Sequence, residues 1–90
     1  MKLGWHLHAW EQYRYWLEND PKVRARIDAL IADMVRSPFK GIGKPEPLRD
    51  NLAGWWSRRI DSGHRLVYRV AGKGEEQVLE IVQCRFHYGK

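Results

Sequence analysis

The sequence predicts an α+β fold, with two N-terminal helices packed on one face of a twisted, mainly antiparallel sheet. Two observations separate the halves. Apolar residues recur at helical spacing up to Met34, and they alternate with polar ones after Trp55. A third gives the sheet its order. Asp61-Ser62-Gly63 and Ala71-Gly72-Lys73-Gly74 read as turns joining successive strands, which makes an antiparallel meander.

Taken in order, Lys2 to His6 places Leu3 and Trp5 at alternate positions and reads as a first strand. His8 to Asn19 carries Trp10, Tyr13 and Leu17 on one helical stripe, broadened by Trp16, and these aromatics are expected in the core. Asp20 is placed to cap a second helix, and Pro21 suits its first turn, where no amide donor is required. Val23, Ile27, Leu30, Ile31 and Met34 mark that helix's buried stripe. Its charges, Lys22, Arg24, Arg26, Asp28, Asp33 and Arg36, read as solvated surface. Ser37-Pro38 ends it. From Ser37 to about Asn51 no period is visible. A connection this long in a small domain points to function. Strands are then expected over Trp55–Ile60, His64–Val70 and Gln77–Tyr88.

Ninety residues make one domain, spanning 1–90, with a thin margin of buried surface that five Trp, four Tyr and two Phe offset. The single Cys84 excludes an internal disulfide and does not support a zinc site. No cofactor is expected. No segment reads as a leader or a membrane span, so the chain is read as cytoplasmic and soluble, with no membrane partner. Sixteen Lys and Arg against eleven Asp and Glu leave a net charge of +5. That favours a polyanion, either nucleic acid or an acidic protein.

Gly41-Ile42-Gly43-Lys44-Pro45-Glu46-Pro47-Leu48 is the stretch the chain is organised around. Flanking prolines hold Glu46 on a stiff extended segment between the basic residues Lys44 and Arg49. Strand alternation puts Leu66, Tyr68 and Val70 on one face, and Val78, Val82, Cys84 and Phe86 with them. Removal of Phe86 from such a core would cost about 3–5 kcal/mol. The opposite parity is basic, with Arg65, Arg69, Gln83, Arg85 and His87 beside Ser57 and Arg59. Leu79 and Ile81 fall on this basic face and Glu80 on the core face. A bulge, or a partner covering that end, would account for the mismatch.

A carboxylate, an imidazole and guanidinium groups over a cationic sheet suit RNA cleavage without a metal. In this reading Glu46 takes the 2′-hydroxyl proton, His87 protonates the departing 5′-oxygen, and Arg65 clamps the phosphate. Tyr88 offers a second donor or a stacking surface for a base.

Several blocks resemble the YoeB toxins. They are Met1-Lys2-Leu3 with Trp5, Trp10 and Tyr15-Trp16, then Pro38-Phe39, Gly43-Lys44-Pro45-Glu46-Pro47-Leu48 and Asn51-Leu52 with Gly54. Trp56-Ser57-Arg58-Arg59-Ile60, His64-Arg65-Leu66-Val67-Tyr68 and Cys84-Arg85 with His87-Tyr88 continue the likeness over nearly the whole chain. The resemblance implies a RelE-like, microbial-ribonuclease-type fold. It implies a toxin that cuts mRNA in the A site of the 70S ribosome, blocks translation and is neutralised by a YefM-like antitoxin. It also implies a homodimer that meets operator DNA only through the antitoxin complex. By the same resemblance Glu46 is the general base, His87 the general acid, Arg65 the transition-state stabiliser and Tyr88 a further site residue. Lys44, Arg49, Arg59 and Arg85 would contact RNA phosphates. Arg49 stands where the family usually has lysine, and Gly4 replaces a usually apolar residue. Gly72-Lys73-Gly74-Glu75-Glu76 lengthens the last hairpin, and Gly89-Lys90 extend past the usual terminal tyrosine. The competing expectation is a ParE-like module that binds DNA gyrase without needing a Glu–His pair.

Overall fold

A computed structural model describes residues 1–87. The elements run β1 (Lys2–Trp5), α1 (Leu7–Asn19), α2 (Pro21–Arg36), β2 (Glu46–Pro47), β3 (Trp56–Arg59), β4 (Arg65–Ala71) and β5 (Val78–Gln83). They form a five-stranded sheet in the order β1-β5-β4-β3-β2. β1 lies parallel to β5, and the other pairings are antiparallel. This is the expected α+β class, with both helices on one face.

α2 forms for the reasons its sequence gives. The Asp20 carboxylate accepts from the Val23 amide at 3.3 Å, and Pro21 occupies the first turn. Ile27, Leu30 and Met34 are fully buried against Leu66, Tyr68, Leu79, Ile81 and Cys84. α1 has no side-chain cap and is held by packing. Its buried residues are Ala9 and Trp16, whereas Trp10 and Leu17 lie outward. The expected stripe is therefore rotated. Trp10 instead packs edge-on against Trp5 and stacks with Tyr13, in a half-exposed aromatic cluster. The Tyr13 hydroxyl donates to Asp28 at 2.7 Å and ties α1 to α2.

Three expectations require correction. First, Asp33 is not a solvated charge. It is nearly buried and paired with Arg58, which projects from the core parity of β3. Second, the last strand stops at Gln83 rather than running to Tyr88, and Tyr88 lies outside the described residues. Third, of the core set expected on the last strand, Val78, Val82, Cys84 and Phe86, only Cys84 is buried, because a bulge, one of the two explanations offered for the misfit, breaks the alternation along β5. Tyr68 pairs with Ile81 but Val67 pairs with Gln83, which leaves Val82 as the extra residue. Leu79 and Ile81 are thereby fully buried in the core, and Glu80 pairs with Arg69 on the opposite face. The phase resets so that Cys84 returns to the core. Phe86 does not; it is 53% exposed, so the core-deletion cost expected of it does not apply.

Candidate functional site

The site begins with backbone pairing. Pro45 and Pro47 keep Glu46 extended, and that extension lets a two-residue strand join the sheet edge. Glu46 pairs with Ser57, Ser57 with Val67, and Val67 with Gln83. Paired residues share a face, so these four form a row across the side remote from the helices. Arg59 pairs with Arg65 two residues along, on the same face. Ser57 and Val67 are almost wholly buried and make the floor of this row, and Glu46 and Arg59 rise exposed from it. Glu46 lies at one side of a depression of about 640 Å³ lined also by Pro47, Leu48, Arg49 and Asp50. Lys44 and Arg49 are exposed on either side of β2.

Arg65 is oriented by its own turn. Its guanidinium donates to the carbonyls of Asp61 at 2.9 Å and His64 at 3.1 Å. Its backbone amide donates to the Phe86 carbonyl at 3.0 Å, and this bond draws the segment after β5 alongside β4. That segment is otherwise held by side chains. Gln12 accepts from the Cys84 amide, and Trp16 donates to the Cys84 carbonyl, both at 2.8 Å. Gln83 donates to the Phe86 carbonyl at 3.0 Å. His87 follows, half-buried, and lines a second depression of about 390 Å³ with Gln83, Arg85 and Phe86.

Glu46, Arg59 and Arg65 are thus brought to one face, and His87 is tethered to the Arg65 strand through Phe86. Arg85 is placed differently from the expectation. Its guanidinium lies 3.5 Å from the centroid of the Tyr15 ring and 4.6 Å from that of Phe86, so it stacks on α1 rather than standing with Arg65 on the sheet. Arg69 is also engaged. It lies over the Trp55 ring and bonds Glu80 at 3.0 Å, and Glu80 bonds His6 at 3.1 Å. Arg69, with His6 behind it, keeps the Glu80 carboxyl below its ordinary range. Cys84 is fully buried, and burial pushes its thiol up to about 12, which removes it as a nucleophile.

Two residues carry structural weight that sequence reasoning missed. Arg58 is fully buried and holds the loop leading to Glu46. The signal was available, since an arginine at core parity needs an anion and Asp33 lies one helical step from Leu30. His64 accepts a backbone hydrogen bond from Phe86, and nothing in the sequence pointed to that contact.

The sequence and the fold have close counterparts. A family model described as the YoeB-like toxin of bacterial type II toxin–antitoxin systems matches residues 5–88. Toxin YoeB of Streptomyces coelicolor is 54% identical over 88 residues, covering 98% of this chain and 100% of that protein. The solved YoeB/ParE toxin from Agrobacterium tumefaciens is 53% identical, with a TM-score of 0.95, covering 98% of this chain and 100% of that one. The toxin in the heterotetrameric YoeB–YefM complex of Staphylococcus aureus is 38% identical, with a TM-score of 0.86 and 98% of both chains covered. A match of this extent, with a TM-score of 0.95 to a solved relative, places the chain in the YoeB-like toxin family of bacterial type II toxin–antitoxin systems.

Proposed function

We propose that this chain is a ribosome-dependent endoribonuclease that cuts mRNA in the ribosomal A site and so stops translation. The observation that carries the reading is the pairing of Glu46, Arg59 and Arg65 onto one face, with the His87 segment bonded to the Arg65 backbone. In the reaction Glu46 removes the proton from a 2′-hydroxyl, and that oxygen forms a bond to the adjacent phosphorus. Arg65 and Arg59 stabilise the added negative charge on the non-bridging oxygens. The bond from phosphorus to the 5′-oxygen breaks, and His87 supplies that oxygen's proton. The products are a 2′,3′-cyclic phosphate and a 5′-hydroxyl. Side chains perform both proton transfers. The obligatory 2′-hydroxyl selects RNA over DNA without any reading of sequence. Lys44 and Arg49 flank the base and extend the cationic surface along the mRNA backbone, and Tyr88 adds a donor or a stacking ring.

An acidic, partly disordered YefM-like antitoxin is the partner this face suits, because a segment folding over it would cover Glu46 and the arginines together. The S. aureus relative is known in a heterotetramer with YefM. We place this chain in a corresponding complex, as a homodimer when alone, and in contact with operator DNA only through the antitoxin.

The test is a cell-free translation reaction with mRNA ends mapped. Cuts within the A-site codon are expected from the wild-type chain. Glu46→Gln and His87→Gln are each expected to slow cutting by roughly 10²–10⁴-fold. Stalled ribosomes on intact mRNA would reject the nuclease reading, and undiminished cutting by both variants would reject the assignment of base and acid. The A. tumefaciens counterpart carries ParE in its name as well. Inhibition of gyrase supercoiling by this chain, without mRNA cuts, would select that reading instead.

A further inference from the structure

We propose that His64 is a positioning residue for the general acid, a role that rests on the nuclease reading of the same site. Its imidazole holds the Phe86 amide and so sets the direction in which the chain delivers His87 beside Arg65.

β5 ends at Gln83, four residues before His87, so no regular ladder fixes where the imidazole of His87 arrives. Phe86 is the residue at which that path is decided. Its φ is +69°, a left-handed conformation that a bulky residue with a Cβ adopts only when its surroundings impose it. Packing of its ring is a weak candidate for that constraint, because Phe86 is 53% exposed. The backbone contacts are stronger. The Phe86 amide donates to His64 Nδ1 at 2.8 Å. The Phe86 carbonyl accepts from the Arg65 amide and from Gln83 Nε2, each at 3.0 Å. Both backbone polar groups of Phe86 are thus engaged, and the amide's acceptor is His64.

The acceptor is itself held by contacts other than the one to the Phe86 amide. The His64 ring stands edge-on to Trp16, with centroids 4.8 Å apart and planes at 79°. Trp16 is buried and bonds the Cys84 carbonyl. The His64 amide donates to Asp61 Oδ1 at 2.9 Å, and its carbonyl accepts from Ile60 and from Arg65. Because the Phe86 amide is a donor, Nδ1 must present its lone pair and the ring proton must sit on Nε2. His64 is therefore a neutral-ring acceptor in this arrangement. The proposed reaction assigns it no proton transfer and no phosphate contact.

Two substitutions separate this role from mere packing. Leucine resembles the ring in bulk but cannot accept. Asparagine carries Oδ1 at the position of Nδ1, two bonds from Cβ, and can. His64→Leu is expected to lower the single-turnover cleavage rate on programmed ribosomes by about 10–100-fold, because small displacements of a proton donor cost that much. The concentration for half-maximal rate should change little, since Arg59 and Arg65 remain. His64→Asn is expected to restore most of the rate. Equal impairment of both variants, or full activity in a folded His64→Leu protein, overturns the inference.

A second measurement does not depend on activity. In ¹⁵N-labelled wild-type protein the Phe86 nitrogen and His64 Nδ1 should show scalar coupling through the hydrogen bond. The His87 resonances should shift in His64→Leu and return in His64→Asn. A missing coupling, or His87 resonances indifferent to both substitutions, also overturns it. If wild-type protein fails to cut mRNA while these signals appear, the nuclease reading fails and the lock stands.

Discussion

Arg58 shows how one side chain can shape the approach to the site without belonging to it. Fully buried, it donates to the Tyr68 hydroxyl, Asp33 Oδ2, and the carbonyls of Ile42, Ser37 and Lys40, at distances of 2.6–3.1 Å. Three of these partners are carbonyls of the loop between α2 and β2, so the guanidinium replaces the ladder that the loop lacks. Glycine is required here. At Gly41, φ is +129° and a Cβ would run into the Asp33 carboxylate. Arg58→Met should destabilise the fold by about 3–5 kcal/mol in urea titrations, because it removes the buried partner of Asp33 and the donor to three carbonyls at once. Arg58, the Ile42 amide and Arg36 hold the Asp33 carboxyl at about 2, below its ordinary 3.8. Its folded-state value is depressed, so its contribution is complete above 3.8 and disappears as pH falls through about 2. Urea midpoints measured through that window should fall less steeply for Asp33→Asn than for wild type. Parallel slopes would show that the pair carries no such linkage.

Among the elements, legibility followed locality. α2 was readable because its cap, proline and apolar period all lie within its own residues, and the two hairpins were readable from their turns. β2 was half-readable: two prolines announced an extended segment, but only pairing with β3 makes it a strand. The parallel placement of β1 beside β5 left no local mark. The bulge at Val82 left one, in the misfit of Leu79, Ile81 and Glu80, without saying whether an extra residue or a covering partner resolved it. Of the candidate residues, Arg59 and Arg65 were assigned to one face from the uninterrupted alternation of β3 and β4, whereas the arrival of Glu46 on that face is visible only in its pairing with Ser57. Arg85 was misplaced, because β5 has already ended at Gln83, so strand alternation no longer governs where its side chain goes. The segment that follows depends on α1 for its backbone partners. Gln12→Leu should therefore cost about 1–3 kcal/mol, since it leaves the Cys84 amide without its acceptor. Gln12→Glu retains an acceptor and should cost less. Equal losses in chemical denaturation would show that the contact contributes through shape and not through the hydrogen bond.

At the scale of the whole molecule, the +5 charge matters by its distribution. Arg24, Arg36 and Arg58 are paired with Asp28 and Asp33 on the helical side, and Arg69 with Glu80 on the sheet. Much of the helical side's cationic charge is thus locally neutralised, while Arg59 and Arg65 pair on the sheet, and Lys44 and Arg49 flank β2 at its edge. A single-stranded RNA held by those four would release about four counterions' worth of binding free energy, with log affinity falling against log salt at a slope near −3. Replacing one phosphate contact should make the slope shallower by about 0.7. Arg59→Gln is the informative variant, because its side chain is exposed and its removal leaves the β3–β4 pairing intact. Arg24→Gln is the control, since Arg24 already bonds Asp28 at 3.1 Å on the helical side. Fluorescence anisotropy with a short unstructured RNA, over a tenfold range of salt, distinguishes them. A shallower slope for Arg59→Gln alone assigns the RNA to the sheet face. The same change in both variants would mean that RNA responds only to net charge, and the face that gathers Glu46 with the arginines would lose its claim to be where the strand lies.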